Sequence, residues 1–264
     1  MTAKRTSVKR RSIRQQVSEA EWAARVELAA LYRALAKMGI TDHIYNHITL
    51  RVPGVPDNFL VNAYGMTYPE VTASSFYKVD VDAKVVLDPE NGYGHNPAAF
   101  LIHSTVHGAR HDMNCVMHTH TRATIAVGAM KVGLLPLSQH AATFDGQVSY
   151  YRFNGPIVEA EEKAVLVRDL GPTNKVMFLR NHGTLILGET IAETFLNCYM
   201  LEMGCKIQVD AMSVGMDGLS IPSDEGRANS RRIIDKASQD IFSGHLEWAA
   251  MRRMVDRDGT DYAA

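Results

Sequence analysis

Cysteine is scarce in this chain. There are three, Cys115, Cys198 and Cys205, and none forms a CxxC pair. That usage excludes a disulfide framework and suits reduced, partly buried thiols in a cytoplasmic protein. Long apolar runs are also missing: nothing approaches the roughly 18–20 residues that span a bilayer, so no membrane partner is expected. Neither sign of charge is in excess, with 28 Lys and Arg against 29 Asp and Glu and a sequence pI near 6.8. Such balance argues against a surface built for nucleic acid or anionic lipid. Internal repeats and low-complexity tracts are absent. What is present is 264 residues with 46% hydrophobic content, enough for one large domain or a domain with a helical extension.

The start is locally basic, with Lys4-Arg5, Lys9-Arg10-Arg11 and Arg14. No apolar h-region follows, which argues against a secretory signal, and no apolar face accompanies the arginines as in a transit peptide. Residues 1–17 therefore read as a solvated tail, or as an arm against a neighbouring subunit. Ser18-Glu-Ala-Glu21 predicts a capping box, opening a helix that Gly39 ends. Strands are predicted over His47–Val52, Phe59–Asn62 and Tyr77–Val81, with a hairpin from Asp80 to Asp88. Pro97 opens a helix to about Arg110. Asn114–Met117 is a short buried strand and Arg122–Met130 a helix. Ile157–Asp169 is helical, Val176–Leu179 and Thr184–Leu187 are strands, and Glu189–Met212 is a long helix. A polar linker, Asp217–Glu225, precedes one last helix from about Ala228 to Met254. The main domain is thus expected over 18–215, with the linker and a terminal helix over 216–264. Strands and helices mix without regular βαβ alternation, so a mixed sheet with helices on both faces is expected.

Eleven histidines stand in the chain, and most will be ordinary. His118-Thr-His120 is the informative pair, because residues i and i+2 of an extended chain point to one face. Two imidazoles can then converge on one ion. The best source of a third ligand is Arg180-Asn-His-Gly183, another strand end with a glycine that permits a tight turn. Three neutral imidazoles suit zinc, iron(II) or manganese and leave coordination positions open.

Taken together, Val116-Met-His-Thr-His-Thr121, Leu179-Arg-Asn-His-Gly-Thr184, Asn46-His-Ile-Thr-Leu-Arg51, Ala63-Tyr-Gly65 before Val71-Thr, and the helix around His103 resemble the class II aldolase/adducin family over roughly Glu19–Met212. The resemblance implies a three-layer α/β/α domain around a mixed, mainly antiparallel sheet, usually as a homotetramer. It makes His118, His120 and His182 the ligands of one divalent metal per chain, zinc first, and places His103 beside it. Departures are equally informative. The family's sugar-phosphate aldolases carry Ser-Ser-Glu ahead of the helix histidine, the glutamate serving as acid/base. Here those slots hold Pro97, Ala98 and Ala99, and a register shifted by one offers Phe100. Tyr64 replaces a threonine before Gly65, and His47 stands where an asparagine is usual. Hydroxyl donors for a phosphate are therefore lost. Leu134-Leu-Pro-Leu-Ser-Gln-His140 is similar to the bacterial adducin-like branch.

Three functions stay open at this level. A metal-dependent carbon–carbon lyase would cleave a small hydroxy or keto acid by retro-aldol reaction or decarboxylation, the second needing no base at the carbon. Its proton-transfer candidates are His103, His140 and Tyr64, and its substrate-binding candidates are His47, Gly65, Arg122 and Gln139. A non-haem iron(II) oxygenase of an aromatic hydroxy or keto acid is the second, and a non-catalytic adducin-like scaffold the third. Arg122 suits a substrate carboxylate or a structural ion pair, and His140 either the site or a loop hydrogen bond. Cys115 is odd relative to His118 on a strand and should face away into the core.

Overall fold

The computed structural model describes residues 11–152, 160–237 and 243–264. Helix α1 (Ile13–Gln16) is one short turn that buries Ile13, so part of the stretch expected as a solvated tail is packed; residues 1–10 lie outside the described residues. Helix α2 (Glu19–Lys37) starts where the Ser18 hydroxyl accepts from the Glu21 N–H at 3.1 Å. The reciprocal half of the predicted capping box does not form. Glu21 turns inward, accepting from Arg25 Nε at 3.0 Å and pairing with Lys78 at 2.9 Å. Arg25 is fully buried, and an unpaired buried guanidinium is far costlier than an uncapped exposed N–H.

The sheet begins with β1 (His47–Val52), β2 (Val55–Val61), β3 (Tyr77–Asp80) and β4 (Val85–Leu87), a meander of antiparallel neighbours. Helix α3 (Pro97–Ala109) is capped by Asn96, whose side chain accepts from Ala99 N–H. Strand β5 (Cys115–Thr119) leads into α4 (Arg122–Ala129), capped by Thr121. Next come α5 (Gln139–Ala142), β6 (Val148–Tyr151), α6 (Ala160–Leu170), β7 (Val176–Leu179), β8 (Gly183–Gly188) and α7 (Ile191–Ala211). The α5 turn and β6 escaped the sequence reading because four residues carry too little periodicity to register. Residues 157–159 of the helix predicted from Ile157 lie outside the described residues.

The terminal helix predicted as one piece is two, α8 (Asp224–Ala237) and α9 (His245–Asp258). Gly244, at φ +78°, caps the second, and an added Cβ there would lie 2.2 Å from the Ala192 carbonyl oxygen. Helix α9 docks on α2 and α7: Trp248 packs on Phe195, and its Nε1 donates to Glu27 at 2.8 Å.

Among the described residues the eight strands run in the order β4-β3-β2-β1-β5-β8-β7-β6. All neighbours are antiparallel except β6 and β7. Cys115 and Met117 point into the core shared with α2, α7 and α9, while Val116 joins Ile102 and Val106 of α3 and Leu166 of α6. Helices therefore cover both faces, giving an α/β/α sandwich, and alternation puts His118 on the α3 side and Cys115 on the other. Burial pushes the Cys115 thiol up to about 12, as befits an inert core cysteine. No described helix is long and apolar enough to cross a membrane.

Candidate metal centre

Three elements aim three imidazoles at one point. His118 lies within β5, one residue further along than the predicted strand end, directly opposite His47 of β1 and Leu185 of β8. His120 follows the strand, its backbone N–H donating to the Asn46 side chain at 2.9 Å. His182 sits on the tight turn between β7 and β8, where its N–H donates to the Leu179 carbonyl at 3.0 Å. The turn is closed by Asn181 at φ +61°, a residue type that tolerates the left-handed region.

His120 Nε2 lies 2.7 Å from His118 Nε2 and 3.1 Å from His182 Nε2. The opposite nitrogens show what these distances mean. His118 Nδ1 donates to the Thr184 carbonyl at 2.9 Å, and His120 Nδ1 donates to the Asp42 carboxylate at 3.0 Å. Both partners only accept, so with the rings neutral each proton is on Nδ1 and both Nε2 atoms carry lone pairs. Two lone pairs at 2.7 Å repel unless a cation lies between them. Burial, then the neighbouring histidines, hold His118 well below the usual imidazole range, and burial with His120 lowers His182, so these rings resist protonation. The donor set thus fits a divalent metal, with outer-shell partners that orient each ring. His118, His120 and His182 form a three-residue ligand group with ligand atoms within 4.8 Å of one another.

Asp42, Asn46 and Thr184 hold the histidines in place and were missed by sequence reasoning. Asn46 stood inside a quoted motif, but nothing there signalled its side chain's role, and Asp42 lies in an irregular loop. Replacing Asp42 by Ala should weaken metal binding about 10–100-fold, the usual cost of an outer-shell partner, with competition against a chromogenic chelator as the measurement.

Beside the trio, the His47 ring centroid lies 4.5 Å from that of His103 and 5.0 Å from that of His118. Both His47 and His103 are driven well below the usual range, chiefly by burial. His47, Asn62, Tyr64, Asn96 and Ala99 line a small cavity together, so the slot that held a glutamate in the resemblance opens beside His47. Tyr64 is 38% exposed there. Gly65, at φ +118°, leaves only 2.8 Å between an added Cβ and the Tyr93 ring, a packing reason for glycine. Arg122 is exposed at the start of α4 and has no ion pair among the described residues, so the structural-pair alternative does not form. Gln139 and His140 are not among the groups gathered at the trio. Gln139 lines a separate cavity with Pro136 and Pro222, and the His140 ring faces Tyr199 of α7 at 6.1 Å. A wider groove of about 760 Å³ lies at the opposite ends of β1 and β5, between Leu50, Asn114 and Trp248, and among the described residues it holds no such convergence of ligands.

His107, one helical turn beyond His103 on the same face, is buried and held down to about 3 by desolvation, then by Arg51. Its folded pKa lies below the ordinary value near 6.5. Its contribution to stability is therefore complete above about 6.5 and lost as pH falls toward 3, at up to about 1.4 kcal/mol per pH unit. Urea midpoints should drop between pH 7.5 and 5, and His107→Gln should flatten that slope.

Residues 26–209 match the family model described as Class II Aldolase and Adducin N-terminal domain. A candidate aldolase class 2 protein of Caulobacter vibrioides is 44% identical over 252 residues, 96% of each chain. Rat alpha-adducin is 40% identical over 245 residues, covering 89% of this chain and 33% of its own. The crystal structure of an aldolase II superfamily protein from Pseudomonas syringae superposes with a TM-score of 0.89 at 44% identity, over 96% of this chain and 99% of that one. On sequence, fold and the convergence of its histidines, the chain belongs to the class II aldolase/adducin family.

Proposed function

We propose that this protein is a metal-dependent carbon–carbon lyase acting on a small hydroxy or keto acid, with decarboxylation fitting its residues better than retro-aldol cleavage. The observation that carries the reading is the 2.7 Å approach of two Nε2 lone pairs beside a third imidazole. His118, His120 and His182 would hold a divalent ion, which would supply Lewis acidity toward a substrate carbonyl. Arg122, which has no ion pair among the described residues, is suited to hold a carboxylate. His47 and His103, kept neutral by burial, can accept a hydrogen bond from substrate beside the trio. Among the described residues no carboxylate lines the cavity at Ala99, which removes the usual base for a hydroxyl and favours a reaction that sheds carbon dioxide.

The ligand group contains no carboxylate. Asp42 is engaged by His120 Nδ1 instead, so the usual facial triad of iron(II) oxygenases is not matched. The 40% identity to alpha-adducin supports a non-catalytic scaffold as the second reading, although such a role has no use for a preserved ligand trio. The homotetramer implied by the resemblance and the cytoplasmic location expected from the free cysteines belong to the proposal too; light scattering tests the first.

The decisive assay supplies hydroxy and keto acids to zinc- or manganese-loaded protein and follows carbon dioxide and carbonyl products. Turnover with a raised KM in Arg122→Gln supports the proposal. Oxygen consumption by the iron-loaded protein alone replaces it with the oxygenase, and inertness under every metal leaves the scaffold.

A further inference from the structure

Thr49 has one hydroxyl proton and two imidazole neighbours. Its Oγ1 lies 2.8 Å from His103 Nδ1 and 2.8 Å from His107 Nε2. All three side chains are fully buried or nearly so, and the far end of the chain sets the direction of both bonds. His107 Nδ1 lies 3.3 Å from the Met113 carbonyl oxygen. A carbonyl only accepts, so His107 Nδ1 carries the proton. Burial keeps the ring neutral, which leaves Nε2 as an acceptor. Thr49 must then donate to His107, and it can only accept from His103 Nδ1. The reverse order would put a bare His107 Nδ1 against a carbonyl lone pair. The remaining His103 nitrogen, Nε2, is therefore a bare acceptor. It is buried with no partner among the described residues, a state that costs free energy unless a ligand or water donates to it.

We infer that the Met113 carbonyl, His107 and Thr49 form a directed hydrogen-bond chain that locks His103 as its Nδ1–H tautomer, leaving Nε2 to accept from a hydroxyl of a ligand beside the metal centre. Thr49 and His107 are positioning residues, acting through His103. The ligand's identity rests on the lyase reading; the tautomer does not. Within that reading the substrate is a keto acid that also carries a hydroxyl. A keto acid without a hydroxyl would leave the acceptor unpaired, and sites built to bond a hydroxyl reject analogues lacking it strongly.

The test is magic-angle-spinning ¹⁵N spectroscopy of the zinc-loaded full chain labelled at histidine, with His103→Asn used for assignment. Wild type and Thr49→Ser should show a protonated Nδ1 and an unprotonated Nε2 at His103. Thr49→Val should shift the tautomer ratio about tenfold toward Nε2–H, as expected for losing one buried hydrogen bond, while retaining its zinc as proof of folding. Glycolate should move the Nε2 resonance and methoxyacetate should not. An Nε2–H signal at His103 in the wild type overturns the directed chain. A resonance that neither probe moves overturns the acceptor role. Absence of turnover with every acid, with the tautomer intact, would count against the lyase reading alone.

Discussion

The His118→Ala/His182→Ala double variant is expected to lose stoichiometric metal, while the native protein carries about one divalent ion per chain. The double variant removes two of three convergent nitrogens and leaves His120, oriented by Asp42 at 3.0 Å, as a lone imidazole. Losing a mere outer-shell partner costs about 10–100-fold in affinity, so losing two direct ligands should exceed that range. The accompanying stability change has a distinctive form. Metal at about 1,000 times its dissociation constant stabilises the native state by about 4 kcal/mol. The native protein should therefore melt higher when zinc is added, and the double variant should not respond. Without metal the ordering narrows, because the substitution also removes the facing lone pairs of His118 and His120, 2.7 Å apart. Elemental analysis beside thermal melts, each with and without zinc, separates these effects. A double variant that still holds one ion per chain would place the metal elsewhere and remove the basis of the proposed function.

Much of this centre was legible because its chemistry is periodic. The i, i+2 spacing of His118 and His120 needs only an extended chain to bring both imidazoles to one side, and β5 provides it. His182 was legible because a strand, an Asn-His-Gly turn and a second strand follow in sequence. The outer partners were not. Asp42 reaches His120 across 78 positions and Thr184 meets His118 across 66, and no local pattern announces a contact at such separation. Glu21 shows the same limit from the opposite direction. Its spacing from Ser18 satisfied a helix-start rule, but the buried Arg25 and Lys78 beside it compete more strongly for the carboxylate. Gln139 and His140 came from a resemblance of their segment, and its packing is equally non-local: α5 lies against α7, with the His140 ring facing Tyr199. The split of the terminal helix at Gly244 depended on the Ala192 carbonyl, a neighbour from α7 that the sequence places 52 residues away.

Gly183→Ala should damage the centre nearly as severely as losing a ligand, although Gly183 itself binds nothing. Its backbone is not in the left-handed region, so conformational freedom is not the reason for glycine here. Space is. An added Cβ would lie 2.4 Å from the Thr119 carbonyl oxygen, 2.8 Å from His120 Cδ2 and 3.3 Å from His118 Cε1. The carbonyl belongs to a β5 residue paired with Thr184 of β8, so it cannot step aside without disturbing the ladder. The two rings yield more easily, and they are two of the three ligands. Metal sites tolerate about 0.2 Å in ligand distance, less than the displacement needed to relieve a 2.8 Å contact. Metal affinity should fall by more than about 100-fold, beyond the outer-shell range, and stability by about 3 kcal/mol, the upper end for overpacking. Gly108→Ala is the matched control: that glycine is exposed on α3, no atom lies within 4 Å of its added Cβ, and alanine should stabilise the helix by about 0.5–1 kcal/mol. Chelator competition and urea unfolding on the pair decide the matter. Native metal affinity in Gly183→Ala would mean that β5 and β8 have slack, and that the approach of the three nitrogens does not depend on the strands being held this close.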